Sequence, residues 1–286
     1  MSNNTASSIR YGTSSFSSND WVGPFYPQGT QSVDFLKVYA EHFDTVEIDT
    51  TYYAIPSKST VEGWAGKVPD HFTFAAKFPR SIVHGGQDAK PNPDLILQSP
   101  KTYELRDKFL ETMALLGNKL GPLLIQFPYF PKEVFSHYRT FFDRLDQFLS
   151  DLPKEFRYAV ELRNNYWMKP FAAELLRSHN TALVLSDYMW MPLGDEIEKD
   201  FDPLTTDFSY IRLIGNRKKI EAITKTWSKE IVNQDDRLNR WASFLHRMAQ
   251  REGNIFVYVN NHYTGHAPAT VRRLRRKIDD QKISLK

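Results

Sequence analysis

Eight short runs rich in β-branched and aromatic residues recur along the chain, and stretches with helical spacing separate them. This alternation constrains the fold more than any other feature. The runs are "IRYGTSS" (9–15), "TVEIDTTYY" (45–53), "FTFAAKFP" (72–79), "PLLIQFP" (122–128), "RYAVELR" (157–163), "TALVLSD" (181–187), "FSYIRLIG" (208–215) and "NIFVYVNN" (254–261). Several are near-continuous apolar runs, as suits a parallel strand covered on both faces. Helices are expected over 32–43, 102–121, 133–150, 170–180, 237–253 and 268–280, where apolar residues recur at helical spacing. The stretch 188–207 holds Pro192, Gly194 and Pro203 and reads as a loop. Alternating strands and helices imply a parallel sheet, and eight such units close into an α/β, single-domain (β/α)8 TIM-type barrel. The competing arrangement is an open doubly wound sheet, whose phosphate site usually carries a glycine-rich first turn. "YGTSSFSSND" has one glycine there, so that fingerprint is absent.

At 286 residues the chain fits one barrel of about 250 residues with a short extension. No sequence repeat or low-complexity linker divides it. Residues 1–8 read as a disordered polar tail, and residues 9–286 as the barrel domain. The absence of cysteine excludes disulfides, thiolate catalysis and cysteine-bound metal. No apolar run approaches the roughly 20 residues of a membrane span, and "MSNNTASSIR" lacks the charged start and apolar block of a secretory signal. A cytoplasmic protein without membrane contact is the expectation. The formal charge of +3 permits an anionic partner without requiring one.

In a barrel of this kind, chemistry sits at the C-terminal ends of the strands. Those ends carry Thr13 and Ser14, Glu47 and Asp49, Lys77, Gln126, Glu161 and Arg163, Asp187, Arg212, and then Asn260, Asn261 and His262. Side chains two apart share a face. Thr45, Glu47 and Asp49 therefore lie together, as do Leu124 with Gln126, Ala159 with Glu161 and Arg163, and Tyr210 with Arg212. The charged face is assigned to the barrel interior and the apolar face to the helices. Charges inside a mouth are tolerated when paired or used.

Arginine forks match carboxylate or phosphate oxygens, so Arg163 and Arg212 are candidate anion binders. Glu47 and Glu161 are acid–base candidates, with Lys77 stabilising developing negative charge. His84, in the loop "RSIVHGG", is a further acid–base candidate. Gln126 and Asn260 would orient a substrate. Trp21, Tyr53 and Trp167 could form an aromatic wall, with Asp187 and Asn261 completing the binding residues. The cations compete with any metal for the carboxylates, and no H-E-x-x-H or EF-hand spacing occurs, so no metal or cofactor is expected. The bland alternative is that the ring is a structural salt-bridge network. A second alternative is nucleic-acid binding or processing through an aromatic, basic mouth, aided by Arg272, Arg273, Arg275 and Arg276 in "RRLRRKIDD".

The chain also resembles the DUF72 family of YecE-like proteins. The resemblance is carried by "GTSSFSSNDWVGPFYP" (12–27), "FDTVEIDTTYYAIPSKSTVEGWAGKVPDHFTFAAKFPRSIVH" (43–84), "LGPLLIQFP" (120–128), "YAVELRNNYW" (158–167), "YIRLIGN" (210–216) and "VYVNNHYTGHAP" (257–268). It implies a TIM-type barrel and brings no settled activity. It implies a motif set of Trp21, Glu47, Tyr53, Lys77, His84, Gln126, Glu161, Arg163, Trp167, Arg212, Asn260 and Asn261. One position departs: such proteins often carry a histidine where this chain has Ile214. The combined expectation is an enzyme for a small phosphorylated or carboxylated substrate, of hydrolase or lyase type, using carboxylate acid–base chemistry.

Overall fold

A computed structural model describes residues 9–284 except residues 89, 99 and 252. The tail over 1–8 lies outside the described residues. The strands are β1 (Ile9–Thr13), β2 (Thr45–Ile48), β3 (Thr73–Lys77), β4 (Leu120–Gln126), β5 (Tyr158–Glu161), β6 (Ala182–Asp187), β7 (Phe208–Leu213) and β8 (Asn254–Val259). They form one eight-stranded sheet in the order β1-β8-β7-β6-β5-β4-β3-β2. Every ladder is parallel. The helices are α1 (Phe35–Ala40), α2 (Lys58–Gly66), α3 (Arg80–Val83), α4 (Lys101–Ala114), α5 (Tyr138–Ser150), α6 (Pro170–Ser178), α7 (Gly194–Asp200), α8 (Arg217–Glu221), α9 (Asp235–Ala249) and α10 (Ala267–Ser284). The result is a nearly closed (β/α)8 barrel, as the alternation implies.

The closing seam lies between β1 and β2, and it depends on a missing side chain. A Cβ on Gly12 would stand 2.0 Å from the Thr45 carbonyl oxygen, so only glycine admits this approach. The Tyr39 hydroxyl, sent in from α1, accepts from the Thr13 N–H at 2.8 Å and donates to the Thr45 carbonyl at 3.1 Å. It thereby bridges the two seam strands.

Strand parity sorts two cores. Ala75, Leu124, Ala159, Ala182, Val184, Phe208, Tyr210, Phe256 and Tyr258 fill the barrel interior. Alanines on β3, β5 and β6 make room for the large rings on β7 and β8, an alternation of small and large across the interior. The opposite faces, with Val46, Ile48, Ile125, Val160, Leu183, Leu185, Ile211 and Leu213, meet the helices in a larger core.

Two expectations are corrected. The stretch 188–207 is not all loop, because α7 occupies Gly194–Asp200. Glu196 Oε2 accepts from the Leu193 N–H at 3.0 Å, and Asp195 and Glu196 place negative charge in the first turn. Gly194, read as a breaker, is the first helical residue, and a Cβ there would lie 2.8 Å from the Phe244 ring. The helix expected over 102–121 stops at Ala114, and β4 already begins at Leu120. No helix among the described residues is long and apolar enough to cross a membrane.

Candidate active site

The last inward positions of consecutive strands converge at the C-terminal mouth. They are Glu47 on β2, Lys77 on β3, Gln126 on β4, Glu161 on β5, Ser186 on β6 and Arg212 on β7. Ladder register holds neighbours level: Gln126 pairs with Glu161, and Ser186 pairs with Arg212. The parity reading of Glu47, Gln126, Glu161 and Arg212 thus matches the geometry.

Arg212 is the hub. Its side chain is 2% exposed, and both carboxylates it meets are fully buried. Nε donates to Glu47 Oε2 at 2.8 Å and Nη2 to Glu47 Oε1 at 2.7 Å, a bidentate fork. Nη1 donates to Gln126 Oε1 at 2.9 Å and also to Glu161 Oε2. Beneath it, the Tyr210 hydroxyl donates to Glu47 Oε2 at 2.7 Å. Four of the five guanidinium N–H donors are committed to the protein, so Arg212 positions its neighbours and is not free to fork onto a ligand.

Electrostatics follow from this packing. Burial alone would raise the Glu47 carboxyl. The charges of Arg212 and Lys77, with the hydrogen bonds from Arg212 and Tyr210, outweigh it and hold Glu47 at about 2. Glu161 is lowered in the same way, burial being overcome by Arg212 and Arg163. Both carboxylates stay ionised at neutral pH. Lys77 is shifted down, first by burial and then by the Arg212 charge, although Glu47 Oε1 lies 3.6 Å from its Nζ. Asp49, just past β2, is shifted up by burial against the opposing pull of Lys77. The mouth therefore holds a lysine that gives up its proton more easily than usual beside a carboxyl that keeps its own longer.

Two cations remain within reach of a ligand. The Lys77 side chain is 11% exposed and that of Arg163 is 19% exposed. Arg163 Nε donates to Glu161 Oε1 at 3.0 Å, and its guanidinium stands 4.5 Å over the Tyr188 ring. Its Nη groups have no hydrogen-bond partner among the described residues.

Other candidate residues lie elsewhere. Asp187 does not join the ring. Ala182 and Val184 point inward, so Asp187 turns toward the helices. There it accepts from Arg237 Nη2 at 2.5 Å, Trp241 Nε1 at 2.8 Å and the Tyr263 hydroxyl at 2.7 Å. Trp167 is buried and stacks on Phe141 at 4.6 Å. Trp21 is buried and donates from Nε1 to Asn261 Oδ1 at 3.3 Å, and that oxygen also accepts from the Ala267 N–H. Asn260 Oδ1 caps the turn that follows it, accepting from the His262 N–H at 3.0 Å. Tyr53 is exposed on the rim. His84 ends α3, buried, with no hydrogen bond or ion pair to the ring among the described residues. Burial, and then the charge of Arg80, lowers its imidazole pKa.

Sequence reasoning placed Ser14 at a strand end without giving it a role, and missed Ser186. Both hydroxyls are buried without a hydrogen-bond partner among the described residues. Parity with Val184 could have found Ser186. No group of three or more histidine, aspartate or glutamate side chains among the described residues could hold a metal ion.

On α10, the Arg272 guanidinium covers the Phe25 ring, Arg273 pairs with Glu230 at 3.0 Å, and Arg275 lies 6.0 Å from the Tyr11 ring centroid. Much of that basic stretch serves contacts within the barrel wall.

The fold and mouth define a single-domain TIM-type barrel with a buried ionic ring at the C-terminal ends of its strands. The chain belongs to the DUF72 family, described as "Protein of unknown function DUF72", which matches residues 10–285. It is 28% identical to the UPF0759 protein YunF of Bacillus subtilis over 275 residues, 89% of this chain and 90% of YunF. It is 35% identical to the UPF0759 protein YecE of Escherichia coli K12 over 131 residues, and that match spans 45% of this chain and 41% of YecE. The crystal structure of a DUF72 family protein, TM1631 of Thermotoga maritima, superposes with a TM-score of 0.67 at 24% identity, covering 95% of this chain and 99% of that one.

Proposed function

We propose that the mouth is the active site of an enzyme acting on a small phosphorylated or carboxylated metabolite, by acid–base chemistry of the hydrolase or lyase kind. The observation that carries this is the pair of cations the protein leaves within reach of a ligand, Lys77 and Arg163, held over a ring of ionised, buried carboxylates. Arg163 takes the anionic group through its Nη atoms. Lys77 and Asp49 move the proton, since burial shifts one down and the other up toward neutrality. Glu47 and Glu161 stay charged and fix Arg212, which in turn fixes Gln126. A hydrophobic plug would fill such a mouth at no greater cost in stability, so a retained buried ion network supports a functional reading.

A thermal-shift series on wild type, Arg163→Gln and Lys77→Met tests this. The ligands are phosphate, sulfate, sugar phosphates, nucleotides, neutral sugars and short single-stranded DNA. A ligand bound only by the folded state stabilises it by about 2.7 kcal/mol at 100 times its Kd. The expected result is a rise in Tm with small anions that both variants lose. A rise that both variants keep, or none with any anion, refutes the proposal. Stabilisation by DNA alone, falling with salt, would transfer the reading to nucleic acid.

A further inference from the structure

Beside the ionic ring, at the ends of β1, β2 and β8, lies a cleft of about 380 Å3. That is within the range of small-molecule sites. Its lining includes Ser14, Asp49, Thr50, Trp227, Asn260 and His262, and no lysine or arginine. The ring supplies the cations, and the cleft supplies neutral donors, acceptors, one carboxyl and two indoles, those of Trp21 and Trp227.

We infer that this cleft binds the hydroxyl-bearing carbon chain of the substrate, which makes the substrate a sugar phosphate or a sugar acid. The inference rests on the anion reading of the mouth and extends it.

Three observations carry it. First, Ser14 is 2% exposed, and its hydroxyl has no hydrogen-bond partner among the described residues. Buried hydroxyls are normally paired, so an orphan lining a cleft points to a partner that arrives with a ligand. The backbone that carries it is held in place, because the Ser14 N–H donates to the Val259 carbonyl at 3.0 Å. Second, the polar groups around it are pre-set. The His262 ring lies between Asn260 Oδ1, 2.5 Å from Nδ1, and Glu221 Oε1, 3.1 Å from Nε2. Trp227 packs edge-on against that ring at 4.8 Å, its backbone N–H donating to Asp20 Oδ2 and its backbone carbonyl accepting from His266 Nδ1. An indole wall with hydroxyl, amide and carboxyl groups suits the mixed apolar and hydroxyl faces of a sugar. Third, Asp49 belongs to both regions: it lines the cleft and interacts electrostatically with Lys77. A ligand anchored by its anion at Lys77 and Arg163 would lay its next carbons toward Ser14.

Calorimetry and thermal shift on wild type and Ser14→Ala decide it, with inorganic phosphate, glucose 6-phosphate, gluconate, sorbitol and adenosine monophosphate as probes. Wild type should bind glucose 6-phosphate or gluconate at least about tenfold tighter than phosphate, and Ser14→Ala should lose about tenfold of that while binding phosphate unchanged. The ligand-free Tm of Ser14→Ala should be unchanged or higher, because the hydroxyl supports nothing in the fold. Phosphate binding without a sugar preference, or a preference that Ser14→Ala keeps, overturns the inference and leaves the anion reading standing. Tighter binding of the adenine nucleotide than of either sugar also overturns it, as does a fall in ligand-free Tm. If no anion binds, the anion reading fails. Sorbitol binding lost in Ser14→Ala would then still support the cleft, and no sorbitol binding would sink both.

Discussion

Arg212→Ala leaves two buried carboxylates facing each other without their shared cation. The wild-type side chain makes four hydrogen bonds, two to Glu47 and one each to Gln126 and Glu161. Breaking a buried pair by removing one partner costs about 3–5 kcal/mol. Linkage gives a second measure. Glu47 falls from an ordinary 4.5 to about 2 in the folded protein, which corresponds to about 3 kcal/mol. A lowered carboxyl stabilises the fold above its unfolded pKa, and this is lost as pH falls from 4.5 toward about 2. In the variant, burial dominates and both carboxyls rise. A raised carboxyl stabilises below its unfolded pKa, and that is lost as pH climbs through the folded value. Above 4.5, the ordinary value of Glu47, these carboxyls therefore contribute no slope in wild type and a stability that falls with rising pH in the variant. Urea denaturation of both proteins from about pH 3 to about pH 8 reads this directly. A variant profile parallel to wild type, or a loss under about 1 kcal/mol at neutral pH, would refute the argument, because Arg212 would then behave as an exposed ion pair.

Gly12→Ala forces a Cβ onto the Thr45 carbonyl at the seam and should cost about 3 kcal/mol or more in urea denaturation. Asp187→Ala strips the acceptor from Arg237, Trp241 and Tyr263, so Tm should fall while the affinity for small anions stays at the wild-type value. Replacing Glu47 and Glu161 by Leu, Arg212 by Met and Tyr210 by Phe together should leave stability within about 2 kcal/mol of wild type in urea denaturation. A collapse of stability in that combination would make the ring structural.

The barrel was legible because its signal is periodic and local: strands alternate faces, so two-residue spacing put Glu47, Gln126, Glu161 and Arg212 in one mouth. The same rule, applied to β6, would have turned Asp187 outward, since Ala182 and Val184 face in. Position at a strand end was used there without parity. That Trp21 and Trp167 are buried was not legible for another reason. Their partners, Asn261 and Phe141, are distant in sequence, and no local pattern separates a packed indole from an exposed one. Gly194 misled because its role is to admit the Phe244 ring, again a long-range contact.

The charge count of the mouth adds a last consequence. Glu47 and Glu161 contribute two negative charges, and Arg212, Lys77 and Arg163 contribute three positive ones, leaving one positive charge when Asp49 is protonated and none when it is ionised. Asp49 is shifted up by burial and Lys77 is shifted down by burial. As pH rises, Asp49 gains a negative charge and Lys77 loses a positive one, so both changes weaken the hold on an anion. Sulfate, which does not titrate near neutrality, should therefore bind less tightly as pH rises. Asp49→Asn should flatten that dependence by removing one of its two sources, leaving Lys77 as the other. Calorimetric titration of sulfate across the pH range tests the account. An affinity independent of pH, or the same slope in Asp49→Asn as in wild type, would show that Asp49 does not share the field of the bound anion.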